Sequence, residues 1–110
     1  VFFILKKNRT IIMGKIHQFQ TAVTITRVLG VDITGATETL LKFKKPSLTE
    51  GQFTAVVDDA TTGKISFTPT SAADLDEYGR WIIWGKVTFS DGSVAESEAT
   101  TTMIWKAGQL

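Results

Sequence analysis

The 110 residues are 43% apolar, 21% charged and 10% aromatic, enough for one packed core and too few for two. Twelve Lys and Arg against eleven Asp and Glu leave a formal charge of +1, which excludes the dense basic surface that neutralises nucleic-acid phosphates, so nucleic acid is not an expected partner. With no cysteine and a single histidine, His17, disulfide frameworks and Cys-ligated metal sites are excluded, and histidine chemistry has little to draw on.

At the start of the chain the apolar run Val1–Leu5 precedes the charges Lys6, Lys7 and Arg9, the reverse of the order in a secretion signal. Five apolar residues also fall far short of the roughly 20 needed to span a membrane. Residues 1–12 are therefore expected to be an N-terminal arm or extra strand, or a stretch ahead of a start at Met13. Without those three cations the balance is nine positive against eleven negative. If residues 1–12 belong to the mature protein, Phe2 and Phe3 head an apolar load that calls for a partner.

Beyond the arm the dominant period is two, the mark of strands with one buried face. A strand is expected over Phe19–Arg27 with Phe19, Val23 and Ile25 inward, and another over Thr37–Lys44 with Thr39, Leu41 and Phe43 on one face. After the break at Pro46–Gly51, Phe53–Val57 resumes with Phe53, Ala55 and Val57 inward; Asp58–Gly63 is a loop and Lys64–Thr68 a short strand. Ser71–Gly79 has the only helical character, one turn at most, with Ser71 as its N-cap. In Arg80–Phe89, Trp81, Ile83, Val87 and Phe89 fall on one face and Ile82, Trp84, Lys86 and Thr88 on the other, which predicts a central strand. Asp91-Gly92 is a tight-hairpin signal, with Val94–Trp105 as the returning strand.

Six or seven strands in this length predict an all-β domain over residues 13–110, an antiparallel immunoglobulin-like β-sandwich of about seven strands, with a small closed barrel as the alternative. Trp81, after Gly79, is expected in the core at a corner. Trp84 and Trp105, if exposed, could anchor a protein partner or stack on a sugar ring. The segment Ala99–Trp105, rich in Thr and poor in charge, is a candidate edge for strand addition; Trp84, Trp105, Ile104, Met103, Phe2 and Phe3 are the candidate interface residues. Asp58-Asp59 and Asp74-Asp76-Glu77 lack the full calcium-loop pattern and read as turn and capping residues. Lys42, Lys44 and Lys45 read as a solvated edge that discourages pairing. No residue constellation asks for catalysis, and no metal or cofactor is expected.

The runs Leu41-Lys42-Phe43-Lys44-Lys45-Pro46, Ala55-Val56-Val57-Asp58-Asp59-Ala60-Thr61-Thr62-Gly63-Lys64-Ile65-Ser66-Phe67, Leu75-Asp76-Glu77-Tyr78-Gly79-Arg80-Trp81 and Val87-Thr88-Phe89-Ser90-Asp91-Gly92 resemble the immunoglobulin-like domains of tailed-bacteriophage virion proteins. They are most similar to the N-terminal domain of upper baseplate proteins, over about Thr37 to Ser97. The resemblance implies a non-enzymatic part of the virion, made in the bacterial host cytoplasm, that joins other virion proteins; a homo-oligomer or symmetric assembly is expected, and no membrane. The 110 residues hold no counterpart of the coiled-coil and distal modules of upper baseplate proteins, which points to a stand-alone tail, baseplate, neck or head-decoration component. The alternative is a carbohydrate-binding module using the tryptophans.

Overall fold

A computed structural model describes residues 15–108. They form nine strands and no helix: β1 (Ile16–His17), β2 (Ile25–Val28), β3 (Ala36–Lys44), β4 (Glu50–Thr54), β5 (Val56–Asp59), β6 (Lys64–Phe67), β7 (Gly79–Phe89), β8 (Val94–Glu96) and β9 (Thr100–Trp105). The larger sheet runs β1-β9-β7-β3-β4, with β8 also paired to β7, and curls into a half-barrel; the smaller runs β2-β6-β5. All pairs are antiparallel except β1 with β9. The expected all-β architecture is present, with more strands than the seven anticipated. The arm over residues 1–12, with Phe2 and Phe3, lies outside the described residues.

The alternation in β7 works as the sequence requires. Trp81, Ile83 and Val87 are fully buried while Ile82 faces out, and β7 pairs with β3 on one side and with β8 and β9 on the other. The core adds Leu41 and Phe43 from β3, Phe53 from β4 and Ile104 from β9, closed from the smaller sheet by Ile25 and Ile65. An aromatic run joins the sheets: Trp81 lies 5.2 Å from Phe43, Phe43 4.6 Å from Phe53, and Phe53 stacks at 4.1 Å on Phe67 of β6. Gly85 lets the layers approach, because a side chain there would meet Ile65 and Leu29 at 3.0 and 3.1 Å.

Three expectations are corrected. The predicted Phe19–Arg27 strand shrinks to Ile25–Val28, because Phe19 and Ala22 adopt φ of 68° and 59° and the Phe19 N–H donates to the Leu75 carbonyl. Phe19 is exposed rather than inward. The predicted Phe53–Val57 strand breaks at Ala55, where the chain passes from one sheet to the other, held by the Ala55 N–H on Thr39 O and the Thr39 hydroxyl on Ala55 O. Val57 consequently points outward, 45% exposed. The lysines are not an edge, since β3 is flanked by β4 and β7; Lys45 instead pairs with Asp76 at 2.8 Å.

The turns reuse one device. Asp32, Asp59 and Asp91 each accept the backbone N–H and hydroxyl of the residue two positions on, Thr34, Thr61 and Ser93, as Asp side chains do in Asx turns. Asp74 accepts the N–H groups of Thr70 and Ser71, Glu77 accepts from Ser47, and residues 71–75 form a single turn, no more than was expected, with Ser71 Oγ accepting the Ala73 N–H. The side-chain hydrogen bonds of Thr34, Thr61 and Ser93 are the largest influence on these three carboxyls, and they hold them below the ordinary carboxylate range. A folded-state pKa below the unfolded one contributes stability that is complete above about pH 4 and is lost as pH falls through the depressed values. Melting curves from about pH 7 to about pH 2 should therefore show a steeper acid loss for the wild type than for a triple Asp→Asn variant at 32, 59 and 91. Parallel profiles would remove the turns from the explanation.

Candidate interaction face

The outward face of the larger sheet gathers the residues of interest. In β7 it presents Arg80, Ile82, Trp84 and Lys86; the ladders place Lys44 beside Ile82, Lys42 beside Trp84, Met103 beside Arg80 and Thr101 beside Ile82. Trp105 follows Met103 on the same face, with the Lys15 ammonium 4.2 Å from its ring centroid. One face of two adjacent strands thus carries Trp84, Ile82, Met103 and Trp105, interspersed with Thr101 and Arg80 and flanked by Lys15, Lys42, Lys44 and Lys86. Ile82 and Met103 are 39% and 40% exposed, and both tryptophans are partly buried.

A bulge decides which residues join this face. Lys86 faces Glu96 and Ile83 faces Thr100, so Trp84 and Gly85 stand opposite three residues, 97–99, and the alternation inverts between β8 and β9. Ser97 holds the bulge: its N–H donates to Gly85 O at 2.9 Å and its Oγ accepts the Gly85 N–H at 2.7 Å. As a consequence Ala95, Thr100, Thr102 and Ile104 point inward, and Met103 and Trp105 point outward.

Of the sequence candidates, the structure brings Trp84, Met103 and Trp105 onto one face and removes Ile104, which is 1% exposed inside the core. Phe2 and Phe3 lie outside the described residues. The Ala99–Trp105 edge is partly occupied, because β1 pairs with Ile104 and Trp105 in parallel; among the described residues only its earlier part lacks an outer strand. Trp84 Nε1–H donates to Glu96 Oε1 at 3.1 Å, which ties the partly buried ring to β8.

The sequence reading did not single out Arg27. It shares the inward side of β2 with the core residue Ile25, and its guanidinium sits at the mouth between the sheets, donating to Thr26 O and to Thr102 Oγ1. An arginine two residues after a core isoleucine in a predicted strand was the available signal.

Chemically the face can bury apolar and aromatic surface against another protein and orient it with a basic rim. Among the described residues no group of three or more His, Cys, Asp or Glu is placed to hold a metal ion. Comparison with protein-family models, with curated proteins and with solved structures found no match for this chain.

Proposed function

We propose that this chain is a non-enzymatic structural component of a tailed-phage virion, in the tail, baseplate, neck or head decoration, which assembles by burying the outward face of its larger sheet against a second copy. The observation that carries the association is the placement of Trp84, Ile82, Met103 and Trp105 on one face of two paired strands. Aromatic residues, Met and Arg are the types enriched where protein surfaces meet. The virion assignment draws its support from the sequence resemblance over Thr37–Ser97, and with it goes the immunoglobulin-like sandwich as the relationship of the fold.

The experiment is light scattering and sedimentation of the wild type beside Ile82→Glu and Met103→Glu. The wild type is expected to form an assembly of fixed stoichiometry. Each variant should weaken association by about 30-fold or more, the scale of a central interface residue, with an unchanged circular dichroism spectrum. A wild type that stays monomeric at every concentration, or variants that assemble equally well, would overturn the reading.

A carbohydrate-binding role has one observation in its favour, the placement of Trp84 and Trp105 on one face. The Lys15 ammonium over the Trp105 ring works against it, because a stacking platform needs a free ring face. Titration of cell-wall and plant polysaccharides followed by tryptophan fluorescence separates the two: saturable change supports sugar binding, and a flat response supports the protein interface.

A further inference from the structure

We propose that Asp91-Gly92, at the tip of the β7–β8 hairpin, is a site of isoaspartate formation that Ser93 and the Phe89 carbonyl hold in check. The bond is stable while the hairpin is closed and reacts once it opens. The inference does not depend on the association face.

Asp91 is the one Asp or Asn in the chain that is followed by Gly, and glycine leaves the next amide nitrogen least obstructed. In the reaction the Gly92 nitrogen attacks Cγ of the protonated Asp91 carboxyl. The hydrogen of that nitrogen and the carboxyl hydroxyl leave together as water, and a five-membered succinimide closes. Water then opens the ring at the main-chain carbonyl, which leaves Gly92 joined through the Asp91 side chain, or at the side-chain carbonyl, which restores aspartate. One water leaves and one returns, so no other reactant is needed. Asp91, Gly92 and Ser93 are all exposed, and burial does not keep water away.

Two hydrogen-bonded locks oppose ring closure instead. Asp91 Oδ1 accepts the Ser93 hydroxyl at 2.6 Å and the Ser93 N–H at 2.9 Å. Such bonds favour the carboxylate, the form that has no hydroxyl to lose as water. The Ser93 hydroxyl is the largest influence and the Ser93 N–H the next, and together they hold the carboxyl below its ordinary range. The second lock is in the backbone: the Gly92 N–H donates to Phe89 O and the Phe89 N–H to Ser93 O, each at 2.9 Å. A succinimide nitrogen carries no hydrogen, so closing the ring takes the donor from Phe89 O and unties the turn. Asp32 and Asp59 sit in the same kind of turn but precede Ile33 and Ala60, whose side chains hinder the attack. An isoaspartate at 91 would lengthen the main chain by one carbon beside the Thr88–Val94 pair and displace β8, whose Glu96 accepts the Trp84 N–H.

The test incubates the full chain at mildly acidic pH and physiological temperature beside a synthetic peptide of residues 87–106, in which Asp91 is the one aspartate. Isoaspartate at Asp91 is counted by mass spectrometry after the isomers are separated. The folded chain should isomerise about tenfold or more slowly than the peptide. Ser93→Ala, with an unchanged circular dichroism spectrum, should react about three- to tenfold faster than the wild type, and Ser93→Thr, which keeps a hydroxyl, should stay near it. Asp91→Asn isolates the backbone lock, because an amide reacts without first being protonated; its deamidation should be slower in the folded chain than in the matching peptide. Equal isomerisation of chain and peptide overturns the inference outright. Ser93→Ala at the wild-type rate, or Ser93→Thr as fast as Ser93→Ala, removes Ser93 from it. Asp91→Asn that deamidates as fast in the folded chain as in its peptide removes the Phe89 carbonyl.

Discussion

Trp81→Ala should lower the stability of the folded chain by about 3–5 kcal/mol, the range for truncating a buried aromatic. The Trp81 side chain has no exposed surface, meets Phe43 at the head of the aromatic run that joins the sheets, and donates its Nε1–H to Glu77 O at 3.0 Å. Truncation opens a cavity at the centre of the larger sheet and leaves the Glu77 carbonyl without that donor. Beside it, the Lys45 ammonium stands 5.7 Å from the ring while bound to Asp76, so the loop carrying Asp76 and Glu77 loses an anchor too. In a domain of this size the change corresponds to a fall in melting temperature of roughly 15–30 °C. Differential scanning calorimetry measures it directly, and a fall of only a few degrees would show that the aromatic run does not hold the sheets together. Trp81→Phe keeps most of the ring and should cost much less.

Gly63→Ala should be the most damaging of the single-methyl additions in the turns, at about 2–5 kcal/mol from left-handed strain and overpacking together. Gly63 closes the β5–β6 hairpin at φ 75°, and a Cβ there would come within 2.6 Å of the Val31 carbonyl oxygen and 3.0 Å of Leu29 Cβ. The nearest obstacle is backbone and cannot rotate away. Its own carbonyl accepts the Leu29 N–H, so a shift of the hairpin also disturbs the exit of β2. Gly92→Ala is the control: φ is 87° but nothing lies within 4 Å of the added methyl, which leaves only the conformational cost of about 1–2 kcal/mol. Equal losses in urea unfolding of the two variants would contradict the packing explanation.

These two sites also show where the sequence could be read. The central strand was legible because Trp81, Ile83 and Val87 alternate without interruption, and the Asp91-Gly92 hairpin because its turn residues and its strand pattern agree. Reading failed where a distant contact overrode local pattern. Phe19–Thr24 alternates like a strand, yet its backbone is spent on Leu75 and its φ values leave the extended region. Val56-Val57 continues the period of Phe53, but Thr39, far away in sequence, clamps Ala55 and sends the chain into the other sheet.

Of the proposed face, Trp84, Met103 and Trp105 were named from the sequence and Ile82 was not, and its geometry was not legible. A single uninterrupted strand from Val94 would place Trp105 on the same side as Ala95, inward; the extra residue at 97–99 reverses this and puts Ile104 in the core instead. Nothing in Ser97-Glu98-Ala99 announces a bulge, because its cause is the pairing of Ser97 with Gly85 across the hairpin. Arg27 went unremarked for a related reason: its place at the mouth depends on β2 being, among the described residues, the last strand of the smaller sheet, which is a property of topology.

Hydroxyl-radical footprinting of the protein at low and high concentration tests the association face most directly, because Trp and Met side chains report their own exposure. The expected result is protection of Trp84, Met103 and Trp105 at high concentration, with Tyr78 and the β5 valines labelled equally in both. Equal labelling of Trp84 and Met103 at all concentrations, or protection confined to β5, would contradict the assignment of the outward face as the surface through which this protein assembles.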